Sequence, residues 1–417
     1  MNECLKRYFD NLSKEEVKDW LCVVKGNQEV AKKLFKFFSD EDFVFNLSQM
    51  KEIHYGLVNL NEQEIKLYAN PKFNSSQMAE IRRGLQEEID IEKVKKYAVK
   101  ELSHKHMEIA RIAIENKIDI DKMIQYIKEG FKPDQLYRIL DAMLIHGGKD
   151  VDLVANKNYS AEYMKVICKY LNRDMDVDII KKWIASNFTA RQLDFVLETI
   201  YKYGLSDNKL KIFANPKYEV NQMEAIVDGL VGGLSIKAVK VYANPEFDSE
   251  QMSEIRSALQ YSELSIEKIK PYIKSEFESE QMSIIFNGLR EGLDVTSYAL
   301  TCFDYEQMHW IYTGLSSGID ITLYAKSYYT SKQMEQIYVA LKAGYDKEKL
   351  HIIANPDLSS IQMSLIRQIF KKYNDTEKVR STLNSDITAE KLEMILKKGT
   401  FDKKVINERE ELISLLS

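Results

Sequence analysis

The sequence predicts an all-α fold, an α-solenoid of about fourteen stacked αα-hairpin repeats wound as a right-handed superhelix. Three observations predict it. One apolar position recurs in steps of 26 to 30 residues along most of the 417-residue chain. The same helix-start chemistry surrounds each recurrence. Gly (16) and Pro (6) are too scarce for a β-rich or loop-rich chain of this length. A chain this long would otherwise divide into several domains, but stacked repeats share one continuous core and escape that limit.

The recurring position is Met50, Met78, Met107, Leu136, Met164, Leu193, Met223, Met252, Met282, Met308, Met334, Met363 and Leu392. Four residues earlier most repeats carry a small polar residue, such as Asn46, Asn74, Ser103, Ser160, Asp248, Asp304, Thr330 or Ser359. These are N-cap types, whose side-chain oxygen takes up an orphan backbone N–H of the first turn. Directly before the Met usually stands Gln, as at 49, 77, 135, 222, 251, 281, 307, 333 and 362. There it forms the third helical position of a capping box. The residue before the cap is aromatic or aliphatic, as in Phe73, Phe247 and Phe303, and is expected to pack on the Met as a hydrophobic staple.

Beyond the Met, apolar residues follow at helical spacing, and a small residue recurs six positions on, as Gly56, Gly84, Gly229, Gly288 and Gly314. Gly inside a helix costs ~1 kcal/mol against Ala, so its recurrence predicts close helix–helix approach. A second Gly (233, 292, 318, 344) stands where a left-handed C-cap closes the first helix, helix A. A new Asp or Ser cap (Asp90, Asp119, Asp176, Ser235, Ser265, Asp294, Asp320) then opens a shorter helix B. It runs to an aromatic pair such as Tyr97-Ala98 or Tyr242-Ala243, where in several repeats Asn-Pro stops it. The two 26-residue steps fall where helix B, Asp294 to Ala299 and Asp320 to Ala325, is about one turn short. Residues 1–43 are expected to form an N-terminal capping hairpin, 44–386 the repeats, and 387–417 a Lys-rich C-terminal cap.

The string from Tyr242 to Arg256, YANPEFDSEQMSEIR, resembles a repeat that recurs in uncharacterised proteins of gut Firmicutes and their mobile elements. The resemblance spans roughly residues 40 to 400. It implies the helical repeat and carries over no catalytic or binding residue. Occurrence on mobile elements implies an inhibitor of a host or defence protein as one purpose. The chain departs from the repeat between about 100 and 200, where His106, Tyr163 and Lys-rich helices replace standard positions. These repeats have drifted either toward a partner or toward decay.

Signals of catalysis are weak. His104 and His106 diverge on a helix and have no ligand partners at metal-site spacing. Asp174, Asp176 and Asp178 imitate the start of a calcium loop, but Ile179 and Ala185 stand where its Gly and Glu belong, so capping accounts for them. Gly147-Gly148-Lys149 lacks the phosphate-loop spacing. No cofactor, metal or enzyme activity is expected. Cys4, Cys22, Cys168 and Cys302 lie far apart and read as free thiols of a reducing cytoplasm. No stretch approaches the ~20 apolar residues of a membrane span.

Two surface features remain. Lys95, Lys181, Lys211, Lys240 and Lys270 recur two residues before the end of helix B. They read either as a ladder facing a polyanion or as charges complementing the helix dipole. Phe286, Tyr312 and Tyr338, with Trp310 nearby, fill a helix A position beside the apolar stripe. They read either as inter-repeat packing or as an interface patch. A net charge of −5 argues against a general nucleic-acid binder. The expectation is a protein-binding scaffold, with a nucleic-acid-binding solenoid as the alternative and no membrane partner.

Overall fold

The computed structural model describes residues 45–261, 264–383, 387–399 and 401, with isolated positions before 45. Among them every regular element is a helix and no strand occurs. The expected capping hairpin over 1–43 lies, apart from those positions, outside the described residues. The chain divides into two bodies, 1–201 and 202–417.

In the first body long and short helices alternate. They are α1 (Leu47–Leu57), α2 (Glu62–Tyr68), α3 (Ser75–Gln86), α4 (Ile91–Tyr97), α5 (His104–Glu115), α6 (Ile120–Lys128), α7 (Pro133–Leu144), α8 (Val151–Val154), α9 (Ala161–Leu171), α10 (Val177–Ile184) and α11 (Ala190–Tyr203). Consecutive long helices lie against one another, α1 on α3, α3 on α5, α5 on α7 and α7 on α9.

The second body continues with α12 (Asp207–Phe213), α13 (Val220–Val231), α14 (Ile236–Val239), α15 (Ser249–Tyr261), α16 (Ile266–Ile269), α17 (Ser279–Glu291), α18 (Tyr305–Ser316), α19 (Ser331–Lys342), α20 (Lys347–Ile353), α21 (Ser360–Tyr373), α22 (Thr376–Thr382) and α23 (Ala389–Lys398). Its long helices α13, α15, α17, α18, α19, α21 and α23 each touch the next in turn.

The caps stand where the sequence predicts them. Asn46, Asn74, Ser103, Ser160, Asp304, Thr330 and Ser359 each accept the N–H of their third helical residue. The recurring Met and Leu are buried, Met78, Met223, Met282 and Met334 completely, and the staple residues Phe73, Phe247, Phe277 and Phe303 are buried with them. The C-cap glycines take positive φ, +93° at Gly233 and +76° at Gly292, a region that costs L side chains strain. Asp176 caps α10 by accepting from Asp178 N–H, which is the role capping assigned to this acidic run.

The Gln before each Met does more than cap. Its Oε1 reaches back to the cap N–H, as at Gln251 to Asp248 (2.9 Å). Its Nε2 donates forward to the carbonyl of the next repeat's staple residue: Gln49 to Phe73 (2.6 Å), Gln222 to Phe247 (2.6 Å), Gln251 to Phe277 (2.6 Å) and Gln307 to Tyr329 (2.6 Å). The amide therefore joins consecutive hairpins from a buried position. Of the two departures in the middle repeats, His106 keeps this pattern and Tyr163 does not. The His106 ring hydrogen-bonds the Phe131 backbone and accepts from Ser103 N–H at 3.3 Å. The Tyr163 hydroxyl donates to the Ile184 carbonyl at 3.3 Å. The Tyr163 bond closes its own hairpin, since Ile184 ends α10, and so is not a tie to the next repeat.

The helix A glycine also has a specific reason. A Cβ on Gly56, Gly84, Gly229, Gly288 or Gly314 would stand 1.9–2.0 Å from the hydroxyl of Tyr68, Tyr97, Tyr242, Tyr298 or Tyr324, the residue that ends helix B. What approaches closely is a phenol oxygen. Repeats whose helix B ends in Val154 or Ile353 carry Ala142 and Ala340 at the glycine position. At the two 26-residue steps the second helix is not a shortened α-helix. It is a 3₁₀ turn over Val295–Ser297 and a plain turn over 321–324, which deliver Tyr298 and Tyr324 against Gly288 and Gly314 with fewer residues.

Candidate functional site

Successive long helices of the second body turn one face outward, opposite the buried Met row. On α13 that face carries Glu224 and Asp228, on α15 Ser249, Glu250, Ser253 and Glu254, and on α17 Ser279, Glu280, Ser283 and Asn287. On α18 it carries Tyr305, His309 and Tyr312. Within each helix most of these positions are four apart, so they stack in one row along it. Across the helices they line a groove of about 890 Å³. The serines keep its floor low, and one of them turns its hydroxyl to its own helix, Ser253 Oγ donating to the Ser249 carbonyl at 2.8 Å.

The groove is acidic. Glu224, Asp228, Glu250, Glu254 and Glu280 line it, and no Lys or Arg does. Among the described residues, the only cation within 4 Å of any of these carboxylates is Arg256, whose Nη2 lies 3.9 Å from Asp228. The backbone N–H of Glu280 itself, joined by the Ser279 hydroxyl at 2.9 Å, holds the Glu280 carboxyl below its ordinary range. It is charged at neutral pH. One end of the groove is aromatic: Tyr305 is 39% exposed and its ring lies 6.3 Å from that of His309.

Phe286 and Tyr338 are buried. The Tyr338 ring lies 5.5 Å from that of half-buried Trp310 on the preceding long helix, and its hydroxyl is 3.3 Å from Ser317 Oγ. Half-buried Tyr312 donates to Glu291 at 2.7 Å. Other repeats use the same helix A position to join neighbouring long helices, as Arg82 does with Glu52 at 2.9 Å and Arg111 with Glu80 at 3.1 Å. Of the four aromatics only Tyr312 reaches the groove.

Lys95, Lys181, Lys211, Lys240 and Lys270 are all exposed. Lys95 pairs with Glu92 at 2.6 Å and Lys181 stands 3.7 Å from Asp178, each within its own helix. Lys211, Lys240 and Lys270 form no ion pair among the described residues. Among these residues no group of three metal-ligating side chains comes together, and no helix is long and apolar enough to cross a membrane. Cys168 is buried, with its thiol pushed up to about 12 by desolvation, and Cys302 is exposed.

The groove was not read from the sequence, because each helix contributes only ordinary surface residues to it. The available signal was Ser-Glu three and two places before the Met of two successive repeats, Ser249-Glu250 and Ser279-Glu280, with Ser253 and Ser283 one place after it. Comparison with protein-family models, curated proteins and solved structures finds no match to this chain.

Proposed function

We propose that the chain is a non-enzymatic protein-binding scaffold, a solenoid of about fourteen αα-hairpins that presents its long helices as one extended recognition surface. The observation that carries this reading is the groove crossing α13, α15, α17 and α18. Its walls come from four consecutive repeats tied by the buried Gln amides, so it is held open before any partner arrives. A preorganised surface spares a binder part of the ordering cost of association. A partner segment seated there is masked from other contacts, which is how such a scaffold acts as an inhibitor.

The test is photo-crosslinking from the groove. A crosslinking side chain at Ser253 or Ser283 is expected to capture a protein in the native cytoplasm, whereas the same group at Lys211 or Lys240 captures none. Capture only from the lysine positions, or of nucleic acid alone, overturns the reading. A second reading, nucleic-acid binding, is favoured by one observation, the exposure of Lys211, Lys240 and Lys270 without an ion pair within 4 Å among the described residues. It requires a steep fall of affinity with salt, since neutralised phosphates release counterions.

A further inference from the structure

We propose that the groove of the second body takes an extended, basic segment of the partner protein, with Lys or Arg at every third residue; this deepens the scaffold reading and rests on it. Four features of the groove carry the argument. Glu224, Glu250, Glu254 and Glu280 face it with no Lys or Arg within ion-pair distance among the described residues, so their field is directed at whatever enters. A lone divalent cation does not answer that field, because no three ligating side chains converge. A polyanion is repelled.

Spacing gives the register. Packed helices stand roughly 8–10 Å apart, and an extended chain of polyproline II form advances about 3.1 Å per residue with three residues per turn, which sets every third side chain on one face. A side chain on every third residue therefore meets the next long helix. Basic residues at that interval reach α13, α15 and α17 in turn, each opposite a carboxylate. A helical ligand rises only about 1.5 Å per residue, so the same three charges on a helix need about seven residues between them.

Shape and the far wall complete the site. Ser249, Ser253, Ser279 and Ser283 leave depth for a peptide backbone, and the Ser253 and Ser279 oxygens, whose protons go to the Ser249 carbonyl and to Glu280, remain acceptors for its N–H groups. Beyond α17 the lining changes from carboxylate to Tyr305 and His309. An exposed Tyr face accepts a guanidinium or an aliphatic stem. The segment thus runs with its charges over the first three helices and a further Arg or an aromatic residue on α18.

The experiment uses fluorescein-labelled peptides and the full chain. In one, arginines are each separated by a pair of serines; in the other, the same residues are rearranged so that the arginines are contiguous. Fluorescence polarisation is expected to show the spaced peptide binding at least about fivefold tighter, with affinity falling as salt rises and screening shortens. Glu250→Lys with Glu254→Lys is expected to weaken it roughly tenfold or more. Glu250→Gln with Glu254→Gln, a milder change, keeps the test open if charge reversal impairs folding. Equal binding of the two peptides, or binding indifferent to both double variants, overturns the inference. The spaced peptide is then added to the crosslinking at Ser253. Loss of the captured protein supports the proposal. Capture that persists overturns the basic-segment inference and leaves the scaffold reading standing, whereas no capture from the groove in the peptide's absence removes that reading itself.

Discussion

Gln251 shows how one side chain serves two hairpins. It accepts from Asp248 N–H and donates to the Ser275 (3.1 Å) and Phe277 (2.6 Å) carbonyls while only 5% exposed. Loss of a cap alone costs about 0.5–2 kcal/mol, and a buried carbonyl left unpaired adds about 1–3 kcal/mol. Gln251→Ala is therefore expected to cost about 2–4 kcal/mol in urea denaturation, well above a pure capping residue. Gln251→Glu separates the roles, since a carboxylate still accepts from the cap N–H but has nothing to donate to Phe277. Parent-like stability of that variant would show the forward bond to be idle. The Gly84–Tyr97 pair is a second residue-scale case. The Tyr97 hydroxyl is buried with no hydrogen-bond partner, so Tyr97→Phe is expected to be neutral or to stabilise by ~1 kcal/mol. Gly84→Ala sets a Cβ 2.0 Å from that oxygen and is expected to lose about 1–3 kcal/mol by overpacking, despite the gain in helix propensity. With Phe at 97 the nearest ring carbon is 3.4 Å away, an ordinary contact, and most of the loss should return in the double variant. Failure of the two changes to couple in such a cycle contradicts the packing account.

Between elements, polar ties join neighbouring long helices. From α9, Tyr170 sets its hydroxyl 2.8 Å from Glu198 Oε2 and 2.9 Å from Asp194 Oδ1 on α11. Lys169 and Arg173 reach the same carboxylates at 2.7 Å. The Tyr170 hydroxyl, and then the two cations, hold the Glu198 carboxyl down to about 2. A folded-state value below the unfolded one, about 4.3 for Glu, gives stability that is present above that pH and lost as pH falls toward 2. The melting temperature is thus expected to drop between about pH 4.5 and 2, and Glu198→Gln to flatten that slope. The side chain is 41% exposed, so solvent keeps the effect modest. An unchanged slope in the variant would assign the acid lability to other carboxylates. The same scale accounts for the aromatic series: Phe286→Ala and Tyr338→Ala remove buried rings and are expected to cost about 3–5 kcal/mol. A binding defect in either variant would then be a folding defect, readable as a lowered melting temperature.

For the whole molecule, the faces differ in charge. The long-helix groove is acidic and the ends of the short helices carry Lys211, Lys240 and Lys270. Reversing those three lysines to Glu is expected to leave the melting temperature within about a degree of the parent, since exposed unpaired charges contribute little to stability. On the scaffold reading it should change partner association at most about threefold and mainly through its salt dependence. Loss of all binding on lysine reversal, with a steep salt slope in the parent, would instead favour the nucleic-acid reading.

What the sequence determined by itself is the part governed by interactions within about four residues. Caps at Asn74 or Thr330, left-handed stops at Gly233 or Gly292, Asn-Pro breaks and the Met row follow from local hydrogen bonding and the 3.6-residue period, so they are visible in one strand of letters. The same reasoning gave Gln its capping bond. Tertiary structure decided what that Gln does with its other end, because the Phe277 carbonyl lies 26 residues away and local chemistry does not specify it. Tertiary structure likewise paired Gly84 with the Tyr97 hydroxyl, turned the Tyr163 hydroxyl to Ile184 of its own hairpin, and buried Phe286 and Tyr338. The groove belongs to this second kind. Glu224, Glu250 and Glu280 are each an unremarked surface acid on its own helix, and only the side-by-side stacking of those helices turns them into one field.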